Sequence, residues 1–137
     1  MKKYILAILF FPLVFCAQLT RIQDSNFEQQ LINLGYDDVL DGGVITADIS
    51  TVQELNISNS NISDISGIED FTALENLNCM NNYLTSLPIN QNLNLEVLNC
   101  YGNYLNSMDL FQNPMLKYLN CGNNILLSLD VKYNFYL

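Results

Sequence analysis

The 137-residue chain carries 14 acidic and 5 basic residues and no histidine, a formal charge of −9. That balance argues against nucleic acid and anionic membrane surfaces as partners, and the missing imidazoles remove the commonest metal ligand and general base. The length suits one domain with a modest core.

The chain opens with "MKK", then the apolar run "YILAILFFPLVF", then "CAQ". This is the layout of a signal peptide over residues 1–17, with cleavage after Ala17. Interrupted by Pro12, the apolar run is too short to span a membrane comfortably. Lipoprotein anchoring through Cys16 is the lesser alternative, because Phe15 is larger than the residue that usually precedes a lipidated cysteine. Without Lys2 and Lys3, three basic side chains face fourteen acidic ones, and eleven of the acids lie between Asp24 and Glu75. Such a segment reads as an acidic face that keeps a secreted chain soluble.

Two short helices are expected next. Ser25 followed by Glu28 has the spacing of a capping box; Phe27, Leu31 and Leu34 share one helical face, and Gly35 stands where that helix stops. A second start falls at Thr46, with Ile49 and Val52 turned inward. Between them "YDDVLDGG" lacks the spacing of a calcium loop and reads as a turn, weak cation binding being the lesser alternative.

From Val52 onward the chain repeats. Leu74, Leu95, Leu116 and Leu137 recur at 21 residues, as do Leu77, Leu98 and Leu119, then Cys79, Cys100 and Cys121, then Asn82, Asn103 and Asn124. The unit is LxxLxCxxNxLxxLxIxxNxx. A 22-residue copy precedes these, with Ser60 in the asparagine slot, and Ile65, Ile68, Phe71 and Leu74 follow at steps of three, which suits a 3₁₀ turn. In the later copies Leu87 alternates with Ile89 and Leu129 with Val131, which suits a short extended segment.

This unit resembles the leucine-rich repeat. The 21-residue form with its second asparagine looks like the bacterial IRREKO subclass, and the first copy looks like the internalin type. The resemblance implies an α/β, right-handed solenoid with a parallel sheet on its concave side. It places repeats at 52–73, 74–94, 95–115 and 116–136, with a fifth opening at Leu137, and a helical cap at 18–51 covering the first coil. The sequence reaches Leu137 with no closing element, so a truncated product, or an end covered by a partner, is expected.

If "NLNCM" is a strand, Leu77 and Cys79 point inward while Asn76, Asn78 and Met80 face the concave side. The repeat cysteines then stack about 4.8 Å apart. Metal binding would need convergence, with histidine or a close cysteine pair, and neither is present. Disulfides are disfavoured because side chains in one ladder run parallel. Small buried residues in an apolar slot is the reading that remains. The resemblance puts Asn82, Asn103 and Asn124 inside the turn, bonding backbone of their own and the adjacent coil, with Asn92, Asn113 and Asn134 as a possible second row.

The candidate binding residues are therefore Asn76, Asn78, Met80, Val97, Asn99, Tyr101, Tyr118 and Asn120, with Tyr83 and Tyr104 extending the aromatic strip. Amides beside aromatic and thioether groups both hydrogen-bond and desolvate a partner. No catalytic motif, metal site or cofactor site is expected. The function implied is an extracellular or cell-surface module that binds a protein or glycan. The alternative is a structural spacer, or a fragment of a larger surface protein.

Overall fold

The computed structural model describes residues 17–137, so residues 1–16, where a signal peptide is expected, and Cys16 among them, lie outside the described residues. The chain first forms strand β1 (Leu19–Arg21), helix α1 (Ser25–Leu34), strand β2 (Gly43–Ile45) and helix α2 (Thr46–Ile49). Strands β1 and β2 pair antiparallel. Their pairing was not anticipated, because three-residue strands show too little alternation to be read.

Helix α1 differs from expectation at its start. Its cap is Asp24, whose carboxylate accepts from the amides of Asn26 and Phe27, so Ser25 is the first helical residue rather than the cap. Glu28 does not close a capping box. It turns inward, 3% exposed, and one carboxylate oxygen accepts from the amides of Asp41, Gly42 and Gly43. Three donors compensate a buried charge that would otherwise be costly. Phe27 and Leu31 are fully buried, but Leu34 at the helix end is 44% exposed. Gly35 ends the helix with φ +82°, the left-handed conformation expected of a stop.

The solenoid follows: β3 (Glu54–Asn56), a 3₁₀ turn (Ile68–Asp70), β4 (Asn76–Asn78), β5 (Val97–Asn99) and β6 (Tyr118–Asn120). The four strands form one parallel sheet in sequence order, and paired residues are offset by 22, 21 and 21 positions. The step-of-three pattern thus becomes a real 3₁₀ turn behind the first coil. Behind the later coils, the Leu87 and Ile89 segment runs without a paired strand.

The second and third coils each drive one set of side chains inward, whereas Leu129 and Val131 in the fourth are exposed. Leu77 and Leu98 from the strands, Leu84 and Leu105 from the turns, and Ile89 and Leu110 from the back are all buried. Each such burial contributes about 1.5–3 kcal/mol relative to exposure. The core continues into the cap, where the Phe27 ring stacks on Phe71 with centroids 6.5 Å apart. Gly67, at φ +103°, lets the first coil approach β1: a Cβ there would lie 2.6 Å from Ile22 Cδ1 and 3.0 Å from the Arg21 carbonyl oxygen.

Candidate functional site

Strand alternation sorts the candidates into columns. Register places Glu54, Asn76, Val97 and Tyr118 in one column and Asn56, Asn78, Asn99 and Asn120 in the next. Ser58, Met80, Tyr101 and Gly122 follow two residues further along each coil. Among the eight candidates Tyr101 and Tyr118 are exposed, while Asn76, Asn78, Met80, Val97, Asn99 and Asn120 are half-buried. All eight therefore belong to one continuous face. Its centre is a depression of about 420 Å³ lined by residues of all four strands, with Leu34 from the cap at its rim. Leu34 was not expected there, because its helical spacing assigned it to the core.

The amides of the central column have a fixed polarity. The Asn78 Oδ1 accepts from the Met80 amide at 3.3 Å, that of Asn99 from Tyr101 at 3.3 Å and that of Asn120 from Gly122 at 3.4 Å. Asn56 Oδ1 accepts from both the amide and the hydroxyl of Ser58. The oxygens of Asn78, Asn99 and Asn120 each accept this one bond and keep a second lone pair. Asn99 Nδ2 additionally lies 3.5 Å from the Met80 sulfur. Tyr101 spreads its ring over Gly122, whose missing side chain makes that space: a Cβ there would meet the ring at 3.2 Å.

The expected structural row is formed. Asn103 Nδ2 donates to the carbonyls of Cys79 and Cys100, and its Oδ1 accepts from the Leu84 amide. Asn82 and Asn124 repeat this arrangement. Asn82 also accepts from the Ser60 amide, so the serine that breaks the row in the first coil is served from the second. A second row lies behind the coils: Asn92, Asn113 and Asn134 are buried, and the NH₂ group of each donates to two carbonyls on the back of the preceding coil.

Cys79, Cys100 and Cys121 are free thiols, the first two fully buried. Burial, with a lesser contribution from the neighbouring thiol, pushes Cys100 up to about 12 and Cys79 higher still. Cys79 and Cys100 are therefore core filler, with no thiolate available for chemistry. The aspartates of "YDDVLDGG" border a separate depression of about 670 Å³ beside β2. Among the described residues no three His, Cys, Asp or Glu side chains converge as a metal site would require, and no helix is long and apolar enough to cross a membrane.

A sequence profile for Leucine Rich repeats (2 copies) matches residues 50–92, the stretch that builds the first strand, the 3₁₀ turn and the second strand. The fold is a leucine-rich repeat solenoid. Among solved structures, the chain is similar to the functional domain of InlJ from Listeria monocytogenes, described as including a cysteine ladder. That match has 30% identity and a TM-score of 0.63 over 88% of this chain and 32% of that one. It also matches the internalin InlF from Listeria monocytogenes, at 19% identity and TM-score 0.73 over 79% of this chain and 32% of the other. The CBM51-2 and INT domains of ZmpB from Clostridium perfringens follow at 22% and 0.55, over 66% and 19%. The last two likenesses concern the fold alone. The leucine-rich repeat chain spans about a third of the length of the two Listeria structures. A search of curated proteins finds no match.

Proposed function

We infer that this leucine-rich repeat chain is an extracellular binding module that takes a protein partner on its concave face. The observation that carries this is the depression of about 420 Å³ crossing all four strands, where exposed Tyr118 and half-buried Val97 flank a row of amides. Apolar groups beside oriented donors are what an interface core needs to exclude water while fixing register. Similarity to the InlJ functional domain supports the reading, and the leader composition of residues 1–17 supports export.

The test replaces Asn99, Tyr101 and Tyr118 together with alanine. None of the three is in the buried core, so circular dichroism should report an intact fold while capture of extracellular proteins on the immobilised chain is lost. Unchanged capture by the folded variant would remove the concave face from consideration. The second reading, a spacer in a longer surface protein, draws on the partial coverage of the similar structures; it expects the variant and the parent to behave alike.

A further inference from the structure

We propose that the turn edge beside Gly102 is a second binding site, which takes a neutral sugar ring between Asn81, Asn123 and Tyr104. It uses none of the eight concave candidates and does not depend on them.

The site comes from a break in a row. Asn59, Asn81, Gly102 and Asn123 stand at the same position of successive coils, three residues after each strand, and all four have positive φ. Asparagine takes this left-handed conformation more readily than other side-chain-bearing residues, so three coils carry a carboxamide here and one does not. Asn81 donates its NH₂ to Asn59 Oδ1 at 3.0 Å. That bond turns Asn81 Oδ1 the other way, over Gly102, where it lies 2.5 Å from the point a Cβ would occupy. From the next coil Asn123 Nδ2 comes within 3.7 Å of the same point. Gly102 has no side chain to join them. Among the described residues, the Asn81 oxygen and the Asn123 NH₂ have no hydrogen-bond partner.

The surroundings select the ligand class. An acceptor and a donor converging on one point suit a hydroxyl, whose single oxygen both donates and accepts. A trans peptide unit directs its N–H and C=O in opposite directions, so it serves one of the two groups and misses the other. A carboxylate or phosphate only accepts, and would face the Asn81 oxygen unpaired. Gly102, Tyr104, Asn123 and Ile125 line a depression of about 300 Å³, together with Asn103 and Asn124, whose NH₂ groups are spent on backbone. No charged side chain lines it, whereas the depression of about 420 Å³ holds Glu54 and that of about 670 Å³ holds four aspartates. A neutral ligand is therefore favoured in an otherwise acidic protein.

The apolar half of the ligand is also provided for. Tyr104 is 52% exposed, and Tyr83 of the preceding coil backs it with ring centroids 6.2 Å apart and planes 28° apart. Ile125, in the same slot of the next coil, closes the other side of the depression. A braced aromatic wall accepts the C–H face of a sugar while the ring's hydroxyls reach the amides, the mixture of apolar lining and few placed polar groups that small ligands need.

The experiment titrates the protein with cellohexaose, mannohexaose and N-acetylchitohexaose, each to about 5 mM, and follows nitrogen–proton NMR signals. Saturable shifts at the Asn123 NH₂ and the Gly102 amide are expected with at least one of the three, and the one that binds reports the hydroxyl stereochemistry.

The decisive variant is Gly102→Asn. Asparagine already holds this slot in the other coils with nearly the same backbone, and the Asn81 oxygen it would crowd is the tip of an exposed side chain, so circular dichroism should report an intact fold. The new carboxamide completes the row and fills the gap, and affinity should fall at least about tenfold. Tyr104→Ala, which removes only an exposed ring, should weaken binding by a similar factor. Alanine at Asn99, Tyr101 and Tyr118 should leave the titration unchanged, which separates this site from the concave face. The proposal is overturned if none of the three sugars gives a saturable shift, if binding survives both Gly102→Asn and Tyr104→Ala, or if the shifts fall on Asn78 and Asn99 instead.

Discussion

The Asp24 carboxylate that caps helix α1 reaches across to the first coil and accepts from both the amide and the hydroxyl of Ser63, at 2.7 Å each. Its other oxygen accepts from Asn26 and Phe27. Burial acts to raise this carboxyl, but the bonds from Ser63, Phe27 and Asn26 together outweigh it and hold the group below its ordinary value of 3.8. A carboxylate lowered on folding adds stability that is complete above pH 3.8 and is lost as pH falls through the lower folded value. Asp24→Asn keeps a capping oxygen but loses the acceptor that holds Ser63, and should destabilise the protein by about 1–2 kcal/mol at pH 7. Urea unfolding across pH should show that gap narrowing below pH 4; a gap independent of pH would refute the assignment.

The two asparagine rows should differ in cost when removed. Asn103 uses both ends of its amide, whereas the Asn113 Oδ1 is buried without a partner and only its NH₂ is engaged. Asn103→Leu orphans the Leu84 amide and takes one of two asparagine donors from each of the Cys79 and Cys100 carbonyls, a loss of about 1–3 kcal/mol. Asn113→Leu should lose less, because it also removes an unsatisfied oxygen. Chemical denaturation midpoints rank the pair, and the reverse order would contradict the geometry.

Gly67→Ala tests the seam between cap and coils. The added methyl meets Ile22 and the Arg21 backbone, and the position sits at φ +103°. A loss of about 2–4 kcal/mol is expected from strain and collision together. Gly35→Ala is the control: its φ is also positive, at +82°, but nothing lies within 4 Å of the new methyl. Its cost should stay near 1 kcal/mol. Equal thermal shifts in the two variants would show that the seam is not tightly packed.

The thiols should respond to alkylation by position. Cys79 and Cys100 are buried and held far above neutral, while Cys121 is only half-buried. Iodoacetamide at pH 8 should label Cys121 first in the native protein, as read from peptide masses. Replacing all three cysteines with valine should leave a folded chain; failure to fold would mean the slot is tighter than a thiol-sized filler implies.

Periodic features were legible in the sequence because many coils vote for the same slot. Leu77, Cys79 and Asn82 each recur, so strand alternation assigned the first two inward and the resemblance to leucine-rich repeats assigned Asn82 to the turn; all three are buried. The cap is aperiodic, and single positions misled there. Ser25 has the hydroxyl and the spacing of a cap, but Asp24 one residue earlier takes the role, since a carboxylate at that point also reaches Ser63. Glu28 is invisible as a core residue because its partners, the amides of residues 41–43, come from a loop thirteen residues away. Within the candidate face, the columns were readable from alternation, whereas the anchoring of each asparagine oxygen by an amide two residues on depends on the turn geometry.

Both asparagine rows point the same way along the chain. Asn82, Asn103 and Asn124 bind backbone of the coil before them, and Asn92, Asn113 and Asn134 do likewise on the other side. A coil therefore receives part of its internal hydrogen bonding from its successor. Removing any one coil would leave the carbonyls and turn amides of the coil before it short of partners, whereas the N-terminal segment closes on itself through Glu28.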